Sequence, residues 1–330
     1  ILNFELQILK YIICKQNTKM KLVVLMMALN EEERIGKAIL RIPRQIPGID
    51  KVEVLVIDDG SVDKTVEIAM NAGADKIISH KMNIGVGAGF MTGIRNSISM
   101  HADIVVTFDA DGEPNIEQIS DLINPILNNQ FDVVIGNRFW KNNPNKYKRI
   151  NFIGNKIFTK LVSFVAGHKF SDTQTGFRSY SKDAIMNTSV VSDFTYTQEV
   201  LLDLHFKGFR IGETPITFSM RPDSRLVKSV SRYTFKSLPI IFRSLVFHRP
   251  IMTFGIFAAI LSSIGILSKL VTFFIPDLFS VNSTLSSGLI LLSAVSFMMG
   301  LFASVVFKRQ AYSEKELMQR IRNLIDSEHQ

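Results

Sequence analysis

The chain has 330 residues, of which 46% are hydrophobic and one, Cys14, is a cysteine. This length allows one large domain or two ordinary ones, and the single cysteine excludes an internal disulfide. The formal net charge of +8 favours anionic partners such as phosphates, nucleotides or acidic lipids.

The first residues lack the features of a signal peptide. Residues 1–19 do not begin with Met, carry Glu5 and Lys10 within their apolar part and have no small-residue cleavage site. Met20 directly precedes the first clear strand. We therefore interpret 1–19 as an N-terminal extension, either peripheral to the fold or an upstream read-through of the natural start.

From residue 21 to residue 139 the sequence alternates apolar runs with amphipathic stretches. The apolar runs predict strands, and the stretches between them have the spacing of helices, the first beginning at about Glu32. The predicted strands are 21–28, 52–58, 76–80, 104–110 and 132–139. Strands that alternate with helices indicate an α/β fold with a mostly parallel sheet covered on both faces.

After residue 140 the pattern is less regular. Helices are predicted at 155–167 and 197–208, a loop at 172–181 and a strand at 209–218. We assign all of 20–230 to a single domain.

Two long apolar segments follow this domain. Residues 251–275 contain one charge, Lys269, and residues 285–307 contain none. As a helix the first segment would be roughly 37 Å long, enough to cross a hydrocarbon core of about 30 Å. Two buried helices of a soluble core are the alternative. Two such segments with a short link favour a membrane hairpin over 251–310, followed by a helix at 311–330.

The distribution of charge predicts the orientation of this hairpin. Its outer ends are flanked by Arg243, Arg249, Lys308 and Arg309, and the link 276–284 has no Lys or Arg. By the positive-inside rule both ends face the cytoplasm, and with them both termini and the preceding domain. We interpret 231–250 as a basic juxtamembrane segment, of the kind that contacts anionic membrane lipid.

Polar residues gather where the predicted strands end. Ligands of open parallel sheets bind beyond the carboxyl ends of the strands, so these residues should converge on one edge. They are Asn30, Asp58, Asp59, Asp109, Asp111 and Arg138. Their convergence indicates a binding site independently of any motif.

The pair Asp109 and Asp111 indicates a metal site. Their carboxylates can share Mg²⁺ or Mn²⁺, with substrate phosphates completing the shell, and Glu113 could add another oxygen. The alternative is a capped turn, since Asp-Gly is common in turns. A second acidic pair, Asp58 and Asp59, ends another strand and favours the metal site.

Other residues divide into binding candidates and structural ones. Asp58 can accept hydrogen bonds from a nucleobase or ribose, and Arg138 is placed to hold phosphate bidentately.

The Gly-x-Gly-x-Gly of 83–90 does not follow the first strand, so we interpret it as close backbone approach in a loop and not as a dinucleotide fingerprint. The six histidines show no metal-ligand spacing and are interpreted as surface or core residues.

Six motifs extend over about 21–230. They are MALNEEERI (27–35), VIDDGSVDKT (56–65), FDADGEP (108–114), GNRF (136–139), DTQTGFRSYS (172–181) and RPDSRLVKS (221–229). In this order they resemble family 2 glycosyltransferases of the nucleotide-diphospho-sugar (GT-A) fold. Within that family the chain resembles polyprenyl-phosphate hexosyltransferases, the dolichyl-phosphate mannose and glucose synthases and their bacterial relatives, and the hairpin matches membrane-anchored members.

The resemblance implies a role for each motif. The donor nucleotide sugar would be lined by Met27, Leu29, Glu31, Asp58, Asp59 and Ala110. The metal would be bound by Asp109, Asp111 and Glu113, and the phosphates by Arg138. The acceptor phosphate, or a mobile acceptor loop, would lie near Arg178, Arg221 and Arg225. Met27 stands where Pro is usual, Glu113 stands where the mannose branch often has Gln, and DTQTGF is closer to the glucose branch, which favours a UDP-sugar.

The implied activity is an inverting, metal-dependent transfer of a hexose to a polyprenyl or dolichyl phosphate at the cytoplasmic membrane face. The donor would be a nucleotide-diphosphate sugar of the UDP-glucose or GDP-mannose type. No nucleic-acid partner is expected, and a homo-oligomer is considered because two-span anchors often associate.

Three alternatives remain open. A phosphatase of the haloacid dehalogenase class also has Asp-x-Asp after a strand, but there the pair lies on an early strand, and here it follows the fourth and precedes Gly112. A non-catalytic membrane scaffold is the second alternative. The third is a family 2 transferase that acts on another lipid or on a polysaccharide.

Overall fold

The computed structural model describes residues 19–110, 114–140, 149–190, 192, 195–218, 239, 241–274 and 283–328. Four predicted site residues, Asp111, Glu113, Arg221 and Arg225, lie outside these ranges, as do most of the N-terminal extension and of the link between the apolar segments. The chain divides into two compact units, Ile1–Ile241 and Phe242–Gln330, which are described separately.

The first unit is built on one sheet. Its strands are β1 (Lys21–Ala28), β2 (Lys51–Asp58), β3 (Lys76–Ser79), β4 (Ile104–Asp109), β5 (Val133–Asn137), β6 (Arg178–Ser181) and β7 (Ile211–Pro215). In the described part of the chain they form a seven-stranded sheet with the order β3-β2-β1-β4-β6-β5-β7. β6 is antiparallel to β4 and β5, and the other pairs are parallel. The predicted α/β fold with a mostly parallel sheet is confirmed.

Helices cover both faces of the sheet. They are α1 (Ile35–Leu40), α2 (Thr65–Asn71), α3 (Val86–Ser99), α4 (Ile119–Leu127), α5 (Arg149–Ala166), α6 (Lys182–Met186) and α7 (Thr197–Phe206). Apolar residues of α1, α2 and α4 pack on one face, and those of α3, α6 and α7 pack on the other. Because β1 and β4 are covered on both sides, their sequences are continuous apolar runs without alternation.

One predicted loop contains a strand. We expected 172–181 to be a loop, but its last four residues form β6, which pairs with β4 and β5. The sequence RSYS does not alternate apolar and polar residues as a half-buried strand does. Its polar residues Arg178 and Ser179 are both buried, and the side chain of each forms hydrogen bonds with backbone carbonyls. The strand brings residues 172–177 to the carboxyl edge of β4.

The second unit contains two long helices, α8 (Pro250–Phe274) and α9 (Ser283–Glu328). Within them, Pro250–Val271 and Thr284–Gln310 are long and apolar enough to cross a membrane. Most apolar side chains along both helices are exposed, as expected of surfaces that face lipid. The region predicted as a helix at 311–330 is helical as far as Glu328, because α9 continues without a break from the apolar span.

Small side chains line the contact between α8 and α9. Ser262 and Ser293 are joined by a hydrogen bond of 2.7 Å, and Ser286 donates to Ser268 at 2.8 Å. A Cβ added at Gly265 would lie 2.9 Å from the side chain of Ile290, so the backbones approach closely there. Small residues and interhelical serine bonds are typical of helix pairs in membranes.

Candidate functional site

β1, β2 and β4 bring two of the candidate acidic residues to the same edge of the sheet. In the parallel ladders Ala28 lies opposite Asp58 and Met27 lies opposite Asp109, so the two aspartates flank the end of β1. Neighbouring strands lie about 4.8 Å apart, which separates the two aspartate Cα atoms by roughly 10 Å. The structure thus confirms the predicted convergence of these two positions.

Asp58 and Asp109 leave their strands toward opposite faces of the sheet. Successive residues of a strand face opposite sides. Val56, two residues before Asp58, packs in the core beneath α1 and α2, whereas Val105, four residues before Asp109, packs beneath α3. A ligand that both carboxylates contact must therefore lie beyond the strand ends.

Asp58 is buried, with 2% of its surface exposed. Its Oδ1 accepts a hydrogen bond of 3.0 Å from the amide of Ser61. Among the described residues its Oδ2 receives no hydrogen bond, and an ionised carboxylate has several acceptor sites. Asp58 can therefore accept further hydrogen bonds from a ligand.

The turns after β1 and β2 are bonded to each other. Asn30, with a left-handed φ of 52°, donates from its amide to Ser61 Oγ and accepts from the amide of Val62, both at 2.9 Å. The amide of Glu31 donates to Thr65 Oγ1 at 2.8 Å. These bonds fix the backbone that carries Glu31 next to the end of β2.

Asp59 lies in a different environment from the one we expected. We expected it to line the nucleotide, but it is buried. Both of its carboxylate oxygens form hydrogen bonds with other residues of the chain. Oδ1 accepts from the amide of Ile84 at 3.0 Å and bonds to Nδ1 of His80 at 2.9 Å, and Oδ2 accepts from the amide of Gly85 at 3.0 Å. The carboxylate of Asp59 anchors the segment after β3.

The glycines of 83–90 do not form the predicted loop of close backbone approach, because Gly87 and Gly89 lie within α3. Close approach occurs instead at Gly60 and Gly93. A Cβ added at Gly60, whose φ is +83°, would lie 2.8 Å from the carbonyl carbon of Met82. A Cβ added at Gly93 would lie 2.4 Å from the side chain of Leu25. The first approach joins the segment after β3 to the turn after β2, and the second seats α3 on β1.

Asp109 contacts the loop that precedes β6. A Cβ added at Gly176 would lie 2.8 and 2.9 Å from the two carboxylate oxygens of Asp109. Any larger residue would displace either the loop or the carboxylate. The motif at 172–181 is therefore packed directly against the first aspartate of the Asp-x-Asp pair.

The same loop contacts Arg138. Asp172, which has no exposed surface, accepts from Arg138 Nε at 2.6 Å and from Arg138 Nη2 at 3.0 Å. It also accepts from the Arg138 amide at 3.2 Å. Residues 172–177 thus connect Arg138 to Asp109.

Arg178 also differs from the expectation that it lies near an acceptor phosphate. It has no exposed surface. Its guanidinium donates to the carbonyl oxygens of Thr173, Thr175 and Thr197, at 2.9, 2.9 and 2.6 Å. In this structure Arg178 holds the 172–177 loop and the start of α7, because its charge faces backbone carbonyls and not the surface.

A buried tyrosine lies within electrostatic reach of Asp109. The ring of Tyr196 stacks on that of Phe90 with centroids 4.2 Å apart. Burial, first, and then the negative charge of Asp109 raise the pKa of Tyr196 well above its ordinary value. The hydroxyl stays protonated at neutral pH and is not a candidate base.

Residues 23–188, half of the chain, match the model of glycosyl transferase family 2. The chain belongs to this family. The predicted family and the predicted enzyme class, a glycosyltransferase, are confirmed, and the phosphatase alternative is removed.

Two archaeal proteins are among the relatives to which this glycosyltransferase is similar. A Haloferax volcanii protein named dolichyl-phosphate hexose transferase is 31% identical over 200 residues, which cover 61% of this chain and 83% of that protein. A Methanococcus voltae protein named UDP-N-acetylglucosamine–dolichyl-phosphate N-acetylglucosaminyltransferase is 29% identical over 218 residues, which cover 59% of this chain and 85% of that protein.

A solved structure shares the fold of this glycosyltransferase. Glucosyl-3-phosphoglycerate synthase from Mycobacterium tuberculosis, in complex with Mn²⁺, UDP and glucosyl-3-phosphoglycerate, matches with a TM-score of 0.52 and 19% identity. The match covers 67% of this chain and 80% of that chain. It confirms the GT-A-like fold.

The structure describes only part of the predicted metal site. Within the described ranges no group of three His, Cys, Asp or Glu side chains is arranged to hold a metal ion. Of the predicted ligands only Asp109 falls within them, half-buried at the end of β4. Its carboxylate supplies the hard oxygen donor that Mg²⁺ and Mn²⁺ prefer, so this residue fits such a site.

Sequence reasoning did not assign roles to three residues that the structure places at this edge. Asp172 and Gly176 belong to the motif DTQTGFRSYS at 172–181, and that motif was the signal that could have identified them. His80 had no such signal, because its partners Asp59 and Thr92 lie 21 and 12 residues away.

Proposed function

We propose that this glycosyltransferase transfers a hexose from a nucleoside diphosphate sugar to a polyprenyl or dolichyl phosphate at the cytoplasmic face of a membrane. The observation that carries the proposal is the 172–177 loop, which contacts Asp109 through Gly176 and pairs with Arg138 through Asp172. It brings a candidate metal ligand and a candidate phosphate ligand to one edge of the sheet. The names of the two archaeal relatives support the class of acceptor.

The donor would lie beyond the ends of β1, β2 and β4. Asp58 accepts hydrogen bonds from the nucleobase or ribose, and the backbone next to it is held by the paired turns. Met27, Leu29, Glu31 and Ala110 line the remainder of the nucleotide. The donor is a UDP-glucose or GDP-mannose type of sugar nucleotide.

The diphosphate of the donor would lie between Asp109 and Arg138. Mg²⁺ or Mn²⁺, held by Asp109, Asp111 and Glu113, would neutralise charge on the leaving diphosphate. Arg138 binds a phosphate oxygen, and Asp172 fixes the plane of its guanidinium through two hydrogen bonds. A guanidinium carries five N–H groups, so binding of Asp172 is compatible with binding of a phosphate.

The nucleophile is an oxygen of the acceptor phosphate. A phosphate monoester with a second pKa of about 6 is largely dianionic at neutral pH, so it needs no strong general base. It attacks the anomeric carbon from the face opposite the diphosphate, the new carbon–oxygen bond forms as the bond to the diphosphate breaks, and the configuration inverts. Arg221 and Arg225 are assigned to the acceptor phosphate, and Arg178 is assigned to holding the 172–177 loop.

The apolar helices would place this reaction at a membrane. Described basic residues lie at the outer ends of the two spans: Arg243 and Arg249 precede the first, and Lys308 and Arg309 are among the last residues of the second. By the positive-inside rule both ends, and therefore both termini, are cytoplasmic. A basic surface near the membrane also attracts an acceptor that carries a phosphate.

The proposal is tested by transfer assays with matched acceptors. Membranes that contain the protein are incubated with labelled UDP-glucose or GDP-mannose, and with either a polyprenyl phosphate or the same polyprenol without its phosphate. We expect one of the two sugars to enter the phosphorylated lipid alone. Label in the unphosphorylated lipid or in a polysaccharide, or no transfer from either donor, would overturn the proposal.

A further inference from the structure

Three hydrogen-bonded side chains, those of Asp59, His80 and Thr92, hold the segment after β3. The proposed transfer reaction assigns no role to them. His80 Nδ1 lies 2.9 Å from Asp59 Oδ1, and His80 Nε2 lies 3.1 Å from Thr92 Oγ1. The side chains of His80 and Asp59 are 13% and 10% exposed. The imidazole therefore spans the gap between the end of β2 and α3 in a largely dry environment.

The partners of the imidazole determine which ring nitrogen carries the proton. A carboxylate can only accept, so Nδ1 carries the hydrogen and donates it to Asp59. Nε2 is hydrogen-bonded to the hydroxyl of Thr92, which can donate to it or accept from it. With both nitrogens bonded, the ring and the carboxylate each have one orientation.

The carboxylate oriented in this way holds the backbone of 82–85. It accepts from the amides of Ile84 and Gly85, each at 3.0 Å. Immediately before these residues, the backbone of Met82 and Asn83 lies against Gly60, where an added Cβ would come within 2.8 and 2.9 Å of it. Gly60 leaves no space for a side chain between the two segments.

This segment borders Asp58. The amide of His80 donates to the carbonyl oxygen of Asp58 at 2.9 Å, and Ser79 pairs with Asp58 in the ladder between β3 and β2. The backbone of 82–85 is therefore fixed next to the residue assigned to the nucleobase or ribose.

We propose that His80 is a positioning residue for the nucleoside of the donor. Through Asp59 it holds residues 82–85 against Gly60, so that their backbone forms one wall of the nucleoside site beside Asp58. This inference rests on the proposed function, because it requires a nucleoside diphosphate at Asp58. The wall contacts the nucleoside equally before and during the reaction, so its loss weakens donor binding and leaves the rate of the bound complex unchanged.

Nucleotide titration tests this role separately from the transfer reaction. The full-length protein in detergent is titrated with UDP and with GDP in the presence of Mg²⁺, as wild type and as three variants. His80→Leu removes both ring bonds, whereas His80→Asn keeps a donor for Asp59 and loses the bond to Thr92. The control is His101→Asn, at an exposed position before β4 whose left-handed φ of 59° suits asparagine.

We expect His80→Leu to weaken binding of the preferred nucleotide about tenfold, a change of about 1.4 kcal/mol. His80→Asn should recover most of the affinity, and His101→Asn should match the wild type. In transfer assays the KM for the donor should rise in parallel, with kcat and the acceptor KM changed less than about twofold.

The possible outcomes distinguish failure of this inference from failure of the proposed function. If the wild type binds UDP or GDP and His80→Leu binds it equally well, the inference is overturned and the proposed function stands. A fall in kcat at unchanged donor KM also overturns it. If the wild type binds neither nucleotide, both are overturned. If His80→Leu does not fold, Thr92→Val removes the outer bond alone, and unchanged affinity in that variant overturns the inference.

Discussion

Gly176 sets the distance between the 172–177 loop and the carboxylate of Asp109. No other residue could occupy this position without moving one of them, because an added Cβ would lie within 2.9 Å of both carboxylate oxygens. A backbone in contact with a carboxylate also limits the rotamers of that carboxylate. The orientation of Asp109 therefore depends on a residue that contributes no side chain.

Replacement of Gly176 by Ala should impair transfer more than stability. The methyl group displaces the Asp109 carboxylate or the loop, and a misplacement of about 1 Å costs on the order of 10²-fold in rate. Initial rates of sugar transfer and a thermal melt measure the two effects. The control is Gly288→Ala on α9, where an added Cβ meets nothing within 4 Å. A Gly176→Ala rate within twofold of the control would contradict this role.

The sequence was sufficient to predict that Asp58 and Asp109 lie at one edge of the sheet, but not what each acidic side chain contacts. Asp58 and Asp59 are adjacent acids in one motif, yet Asp58 faces the site and Asp59 binds the backbone amides of Ile84 and Gly85. The direction in which each side chain leaves the end of a strand separates these roles. That direction depends on tertiary contacts that a motif does not contain.

Arg178 illustrates the same limit for a basic residue. The resemblance placed it near an acceptor phosphate, but its guanidinium is bonded to three backbone carbonyls of the chain. A buried arginine requires such partners, because an unpaired buried charge is costly. Burial of the short strand β6 could not be predicted from its polar sequence.

At the scale of the elements, Asp132 and Arg210 join β5 to the edge strand β7. Arg210 donates to Asp132 from its amide at 2.8 Å, from Nε at 3.0 Å and from Nη2 at 2.9 Å. The hydrogen bonds from the Arg210 side chain are the main cause that lowers the pKa of Asp132 below its ordinary value of 3.8, and burial opposes them.

This pair should make stability depend on pH below about 4. A carboxylate with a lowered folded-state pKa contributes stability that is complete above the unfolded pKa and is lost as the pH falls through the folded value. Asp132→Asn should therefore lower the melting temperature at pH 7, and the difference from the wild type should narrow as the pH falls below 3.8. Melts from pH 7 to pH 3 measure this.

The matched control for this pair is Asp121→Asn at an exposed position of α4. It should follow the wild type across the pH range. Equal melting temperatures of Asp132→Asn and wild type at pH 7 would show that the pair contributes nothing to stability.

Element prediction succeeded where the apolar pattern was long. The strand predicted at 21–28 is β1, and the span predicted at 251–275 corresponds to α8, Pro250–Phe274. The sheet strand at 178–181 was missed because four mostly polar residues carry no periodic signal. The helix predicted at 155–167 begins six residues earlier, at Arg149.

At the scale of the whole molecule, alternation of strands and helices was enough to predict the fold class. Neighbouring parallel strands need a crossover connection between them. The regular alternation of strands and helices up to residue 139 therefore left few possible topologies for the sheet. The antiparallel strand β6 lies outside that regular pattern, and it carries the loop that connects Asp109 to Arg138. The general location of the site was therefore predictable, while the contacts that organise it were not.

The two units have different physical requirements. The sheet domain has a polar edge suited to water, whereas the exposed apolar surfaces of α8 and α9 are suited to lipid. A chain with both properties is suited to a reaction between a water-soluble donor and a lipid acceptor. This combination is consistent with the proposed transfer to a lipid phosphate.

The most direct test of the central claim is the transfer rate of Asp109→Asn, measured with labelled donor and polyprenyl phosphate in the presence of Mg²⁺ or Mn²⁺. The side chain keeps its size, so the variant should fold and melt as the wild type does. In the proposed mechanism the Asp109 carboxylate holds the metal ion at the donor diphosphate. Loss of its negative charge should therefore lower the transfer rate by at least about 10²-fold. Transfer by the folded variant at the wild-type rate would contradict the account.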